Sequence, residues 1–140
     1  MVALAAGNQW QLLVEQIRDF RPALVSVSAD SSAQEIRRAL GDECPSILSG
    51  SEGLEAVATF EPADIVVSSL TGGVGVRPTY AAVCAGKDVA LANKEAIVVA
   101  GEIISREAAR RGTRLLPVDS EISAIWQCLQ AGRKQDVRRI

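Results

Sequence analysis

The 140-residue sequence contains no histidine. That absence removes histidine-activated nucleophiles and histidine metal ligation from the chemistry this chain can perform alone. Cysteine is scarce: Cys44, Cys84 and Cys128 are odd in number, widely spaced and in no metal-ligand pattern. Cys84 and Cys128 fall on helical patterns, where thiols act as small hydrophobes, and a reducing cytoplasm is the compartment they suit. Neither sign of charge is in excess, with 15 Lys and Arg against 17 Asp and Glu. A net charge of −2 advertises neither nucleic acid nor an anionic membrane as a partner. The one local basic group, Arg133, Lys134, Arg138 and Arg139, reads as a solvated tail. No apolar run approaches membrane-spanning length, and Met1 leads into VALAAGNQ without a signal-peptide pattern.

What is present is one domain's worth of globular chain, 48% hydrophobic and 23% charged. Short apolar runs at 2–6, 23–27, 63–70, 89–92 and 115–118 read as strands, with a brief one at 47–48. Helical patterns alternate with them. Asn8 precedes Trp10, Leu13, Val14, Ile17 and Phe20 at helical spacing, and Pro22 follows. Residues 31–40 form a short amphipathic helix with Ser31 or Ser32 as cap, and Ser51 opens another. Pro78 suits the start of a helix over 79–85. A long helix runs from Asn93, Lys94 and Glu95 to Arg111, with Gly112 as its stop. A strand begins at 136–140. This alternation predicts a doubly wound, mostly parallel α/β sheet. The two tryptophans, Trp10 and Trp126, read as packing residues. Both ends of the chain fall inside predicted elements, as expected of a fragment.

The chain is organised around LLPVDSEISAI at 115–125. An apolar strand there delivers Asp119, Ser120 and Glu121 at its carboxyl end, where α/β sheets bind ligands. Paired oxygen ligands suit a hard cation such as Mg2+ or Mn2+. The alternative is a plain helix start, with Asp or Ser at the N-cap and Glu in the first turn. A glycine-rich loop, SLTGGVG at 69–75, also follows a strand and precedes a helix. It is either a phosphate-accommodating cofactor contact or a tight turn. Asn93, Lys94 and Glu95 in LANKEA stand at a third strand end and could hold a cofactor and an anionic substrate, or form an ordinary first helical turn. Gly7, Asn8 and Gln9 end the first strand. They offer neither the acid nor the cation that selects a nicotinamide cofactor's ribose.

Taken together, LANKEA, LLPVDSEISAIWQCL and AGKDVALANKEAIVVAGEII resemble the 1-deoxy-D-xylulose 5-phosphate reductoisomerase family, and the similarity runs from VALAAG to VRRI. The resemblance implies a Rossmann-like fold whose first strand is missing from this chain. Residues 1–118 would belong to an NADPH-binding domain and 119–140 to the start of a catalytic domain. It implies NADPH- and metal-dependent isomerisation and reduction of 1-deoxy-D-xylulose 5-phosphate to 2-C-methyl-D-erythritol 4-phosphate, in isoprenoid synthesis by the non-mevalonate pathway. Asp119 and Glu121 would ligate Mg2+ or Mn2+. Lys94, Ser120 and Glu121 would touch the sugar phosphate, with Lys94 and Glu121 catalytic. Gly7, Asn8, Gln9, Ser69, Leu70, Thr71, Asn93 and Glu95 would contact NADPH. The full-length protein would be a cytoplasmic homodimer.

The chain departs from the family pattern in carrying Ile122 where a histidine usually follows DSE, and Asn8 and Gln9 where a Lys or Arg is usual. The GxTGSIG phosphate loop and everything beyond VRRI are not part of it, so the isolated chain is expected to be inactive. Unpaired strand edges predict self-association. The other readings are a non-catalytic nucleotide- or partner-binding module and a dehydrogenase of homoserine type.

Overall fold

The structure, a computed structural model, describes residues 1–139. Its chain falls into two compact units, Met1–Asp64 and Ile65–Ile140.

In the first unit, strand β1 (Ala3–Ala6), helix α1 (Trp10–Phe20), β2 (Leu24–Val27), α2 (Asp30–Leu40), β3 (Ser46–Ser49) and α3 (Gly50–Ala58) alternate. The strands form a parallel sheet in the order β1-β2-β3, in register from Ala3↔Leu24 and Leu24↔Ser46 onward. All four residues of β2 are buried, as a parallel strand covered on both faces requires. Leu13, Val14 and Ile17 of α1 pack with Val25, Val27, Ala33, Ile36, Leu40 and Ile47 into the core, so the three-and-four spacing of α1 does bury one face. Phe20, on the same pattern, is instead 49% exposed at the helix end.

The helix starts differ from those read in the sequence. α1 takes Gln9 as its N-cap with no side-chain bond. The Asn8 side-chain oxygen accepts the Ser28 hydroxyl at 2.5 Å, so it is unavailable to the helix. α2 begins one residue before Ser31, from Ala29, which places Ser31 and Ser32 inside the helix rather than at its cap.

The second unit contains β4 (Ile65–Ser68), a 3₁₀ turn (Gly72–Gly75), α4 (Val76–Cys84), β5 (Asp88–Leu91), α5 (Lys94–Arg111), β6 (Leu115–Pro117) and α6 (Ser120–Gln130). The order β4-β5-β6 is again fully parallel. With helices crossing between parallel strands in both units, the fold is α/β and Rossmann-like. α4 starts at Val76, so Pro78 lies within the first turn, where its missing N–H costs no helical bond. At the amino ends of β5 and β6, Asp88 accepts the Arg114 backbone N–H at 2.7 Å and its guanidinium at 2.5 and 2.8 Å. α5 kinks at Ala100 (φ −136°, ψ 18°) and ends at Gly112, whose φ of 72° is the left-handed conformation a terminating glycine supplies. Near that end, Glu107 accepts hydrogen bonds from Arg110 and Arg111, which hold its carboxyl at a pKa of about 2.

Over the described residues 136–139, the strand expected at 136–140 is not formed. Asp136 instead closes a 3₁₀ turn (Lys134–Asp136), held by the Arg133 guanidinium at 2.9 and 3.0 Å, and no strand is assigned at 137–139. The last residue of that expectation, Ile140, lies outside the described residues.

Three outcomes follow for the chain in solution. Ile36→Ala empties a fully buried site and should lower unfolding free energy by about 3 kcal/mol in urea titrations. Because the Glu107 pKa is depressed, its contribution is present above pH ~4.5 and lost as pH falls toward 2. The stability gap between the natural chain and Glu107→Gln should therefore shrink over that window in thermal melts. Among the described residues, β1 and β4 each pair on one side only, and Ile65 and Val67 of β4 are 49% and 65% exposed. Sedimentation velocity should show mass rising with concentration; a concentration-independent monomer would refute that.

Candidate functional site

In the second unit, parallel pairing brings three strand ends to one level. Ser68 is in register with Leu91, and Leu91 with Pro117. The Ala92 N–H donates to Ser68 O at 2.9 Å and the Val118 N–H to Leu91 O at 3.0 Å. The residues that follow each strand, Ser69–Leu70–Thr71, Asn93–Lys94–Glu95 and Asp119–Ser120–Glu121, therefore leave the same carboxyl edge of the sheet. A buried hydrogen bond between the Ser68 and Thr79 hydroxyls, at 2.7 Å, fastens the end of β4 to α4.

Asp119 is the N-cap of α6, its Oδ1 accepting the Ile122 N–H at 3.3 Å. The helix-start reading is correct for this residue, and it does not displace the ligand reading, since capping occupies one lone pair of a carboxylate. Glu121 Oε2 accepts the Ser120 hydroxyl at 2.8 Å. That hydroxyl, then the Glu121 N–H and the Asp119 side chain, with the positive charge of Lys94 contributing, hold the Glu121 carboxyl below its ordinary pKa. Among the described residues, no three His, Cys, Asp or Glu side chains converge. The donor set is two adjacent carboxylates, which fits a hard cation that keeps waters or substrate oxygens in the rest of its shell.

Lys94 and Asp119 also line one cavity of about 290 Å3. Its remaining wall is chiefly apolar, with Ile97, Ile122, Ile125 and Trp126 among the lining residues. Ile122 thus adds hydrocarbon beside the carboxylate pair. Trp126 is 41% exposed and lies on this wall, so the packing role read for it accounts for part of its surface.

Of the residues expected at a cofactor, Ser69, Thr71 and Glu95 are exposed and Leu70 is half-buried. Asn93 is buried, capping α5 with its side-chain oxygen and donating from its amide to the Leu70 and Gly72 carbonyls. Gly7, Asn8 and Gln9 belong to the first unit, exposed at the end of β1, where the Ser28 N–H donates to Gly7 O at 3.5 Å. Gly7 is open, and the exposed amides of Asn8 and Gln9 follow it, with the Asn8 oxygen already taken by Ser28. Sequence reasoning missed the capping role of Asn93, although an Asn directly before a helix is a cap signature. Gly75, read in the sequence as part of the glycine-rich loop that lets a ligand approach, is instead buried against Asn93.

A family model described as 1-deoxy-D-xylulose 5-phosphate reductoisomerase matches residues 1–101. The chain belongs to the 1-deoxy-D-xylulose 5-phosphate reductoisomerase family. It is 48% identical over 140 residues to the reductoisomerase of Chlorobaculum tepidum, covering 100% of this chain and 37% of that protein. With the Symbiobacterium thermophilum reductoisomerase it shares 52% over 145 residues, again 37% of the relative. Among solved structures, a DOX-P reductoisomerase in complex with magnesium superposes with a TM-score of 0.86 at 39% identity, over 91% of this chain and 32% of the other. The Zymomonas mobilis reductoisomerase in complex with NADPH gives 0.85 at 33% identity, over 91% and 33%. The chain thus spans about a third of the length of the reductoisomerases it matches.

The cap on α6 gives a direct test of the local geometry. Asp119→Ala should destabilise the helix by about 1 kcal/mol, while Asp119→Asn, which keeps the acceptor, should lose only a fraction of that. Far-UV circular dichroism during thermal unfolding reads the difference.

Proposed function

We propose that this chain carries cofactor, substrate and metal contacts of a reductoisomerase that converts 1-deoxy-D-xylulose 5-phosphate to 2-C-methyl-D-erythritol 4-phosphate. The observation that carries the reading is the meeting of Lys94 with Asp119 and Glu121: Lys94 shares a cavity with Asp119, and its charge acts on Glu121. An ammonium beside two carboxylates at a sheet's carboxyl edge can bind an anionic sugar and a divalent cation together.

Asp119 and Glu121 would hold Mg2+ or Mn2+, whose chemistry when bound is Lewis-acid polarisation of substrate oxygens. NADPH supplies hydride. The chain's own side chains do the positioning. Lys94, exposed in the first turn of α5, attracts the substrate and neutralises charge that develops on its oxygens. Ser120 donates its hydroxyl proton to the Glu121 carboxylate, and its oxygen would touch substrate as an acceptor. Gly7, Asn8, Gln9, Ser69, Leu70, Thr71 and Glu95 would contact NADPH, with residues 1–118 as cofactor domain and 119–140 as the opening of the catalytic domain. The homodimer is part of the same proposal. So is a cytoplasmic location, which suits three free thiols; no helix of the described residues is long and apolar enough to cross a membrane.

The test is to graft this chain into the Chlorobaculum tepidum relative in place of its matching segment. The graft should oxidise NADPH only with 1-deoxy-D-xylulose 5-phosphate and Mg2+ or Mn2+ present. Lys94→Ala and Glu121→Gln should each lower kcat/KM about 100-fold or more. A folded graft without turnover, or one indifferent to both substitutions, would refute the assignment.

A further inference from the structure

Asn93 is only 2% exposed, and both polar atoms of its side chain are committed. Oδ1 accepts the Ala96 N–H at 2.8 Å and caps α5. Nδ2 points the other way and donates to the Leu70 carbonyl and, at 3.2 Å, to the Gly72 carbonyl. The second half of the contact is Gly75, where a β-carbon would fall on Asn93 Nδ2 and meet Leu70 Cβ at 3.4 Å.

Capping alone does not require this side chain. Aspartate or serine caps as well, aspartate adds a favourable charge at the helix dipole, and α6 uses Asp119 for the same task. Only a carboxamide combines an acceptor for the helix with donors for two loop carbonyls. The demand for donors, and for a glycine to make room for them, comes from the loop.

We propose that Asn93 is a positioning residue: its amide latches the Leu70–Thr71–Gly72 loop to the first turn of α5, with Gly75 as its obligatory counterpart. One buried side chain then sets both the loop at the end of β4 and the helix turn that presents Lys94 and Glu95. The consequence for ligands rests on the reading of Ser69, Thr71 and Glu95 as cofactor contacts: Asn93 acts on the cofactor through the loop.

Asn93→Asp keeps the shape and the acceptor toward Ala96 but turns an oxygen against the two loop carbonyls. Gly75→Ala leaves Asn93 intact and displaces its amide. Two measurements separate the ideas: amide hydrogen-exchange protection of residues 70–76 in each chain without ligand, and NADP+ affinity by calorimetry with each variant carried in the Chlorobaculum tepidum graft. Both single variants should keep far-UV helix content, lose about tenfold in loop protection and bind NADP+ about tenfold more weakly. The double variant should be no worse than the worse single, because both break the same contact. Unchanged loop protection in Asn93→Asp would overturn the latch. Should that variant fail to fold, unchanged protection in Gly75→Ala would overturn it equally. If the unsubstituted graft does not bind NADP+, the cofactor reading falls, and loop protection in the chain still decides whether the latch exists.

Discussion

The candidate site of the second unit depends on the parallel register of β4, β5 and β6. Because Ser68, Leu91 and Pro117 are neighbours across the ladder, three segments widely separated in sequence emerge side by side, and their polar residues converge without a long loop. A slip of one residue in β5 would turn Val89 out of the core and send Asn93 and Lys94 to the wrong face. The Asp88–Arg114 pair at the opposite end of β5 and β6 opposes such a slip, since its backbone and guanidinium bonds are made only in this register.

Within that frame the polar residues serve structure and chemistry together. Asp119 starts α6 and stands in the carboxylate pair; Asn93 starts α5 and holds the glycine-rich loop. Helix starts at strand ends are well suited to this economy. They carry unsatisfied N–H groups that need an acceptor, and they lie where α/β sheets leave room for a ligand. A residue recruited to satisfy the first need is already in place for the second.

Much of this was legible along the chain. The apolar runs of β2 and β5, the three-and-four spacing of Leu13, Val14 and Ile17, and the glycine stop at 112 are local patterns with local causes, and each matched its element. The expectations that failed were those in which a short polar side chain had to choose a partner. Asn8 bonds Ser28, twenty residues away, instead of its own helix. Residues 136–139 had strand-like composition but form no strand; there the competing partner is local, Arg133, which holds Asp136 in a turn. Local propensity cannot anticipate a partner that only folding supplies.

The sequence by itself determined the class of fold, the family, and the small set of polar residues that stand at strand ends, since periodicity and motif spacing are properties of the chain. Only the tertiary structure decided how those residues divide their work. That Lys94 and Asp119 share a cavity, that the Asn93 amide holds the Leu70 and Gly72 carbonyls, and that Gly75 must yield its side-chain space to that amide are all contacts between separate elements. They exist because parallel strands bring distant loops to one edge, and no spacing within any one segment encodes them.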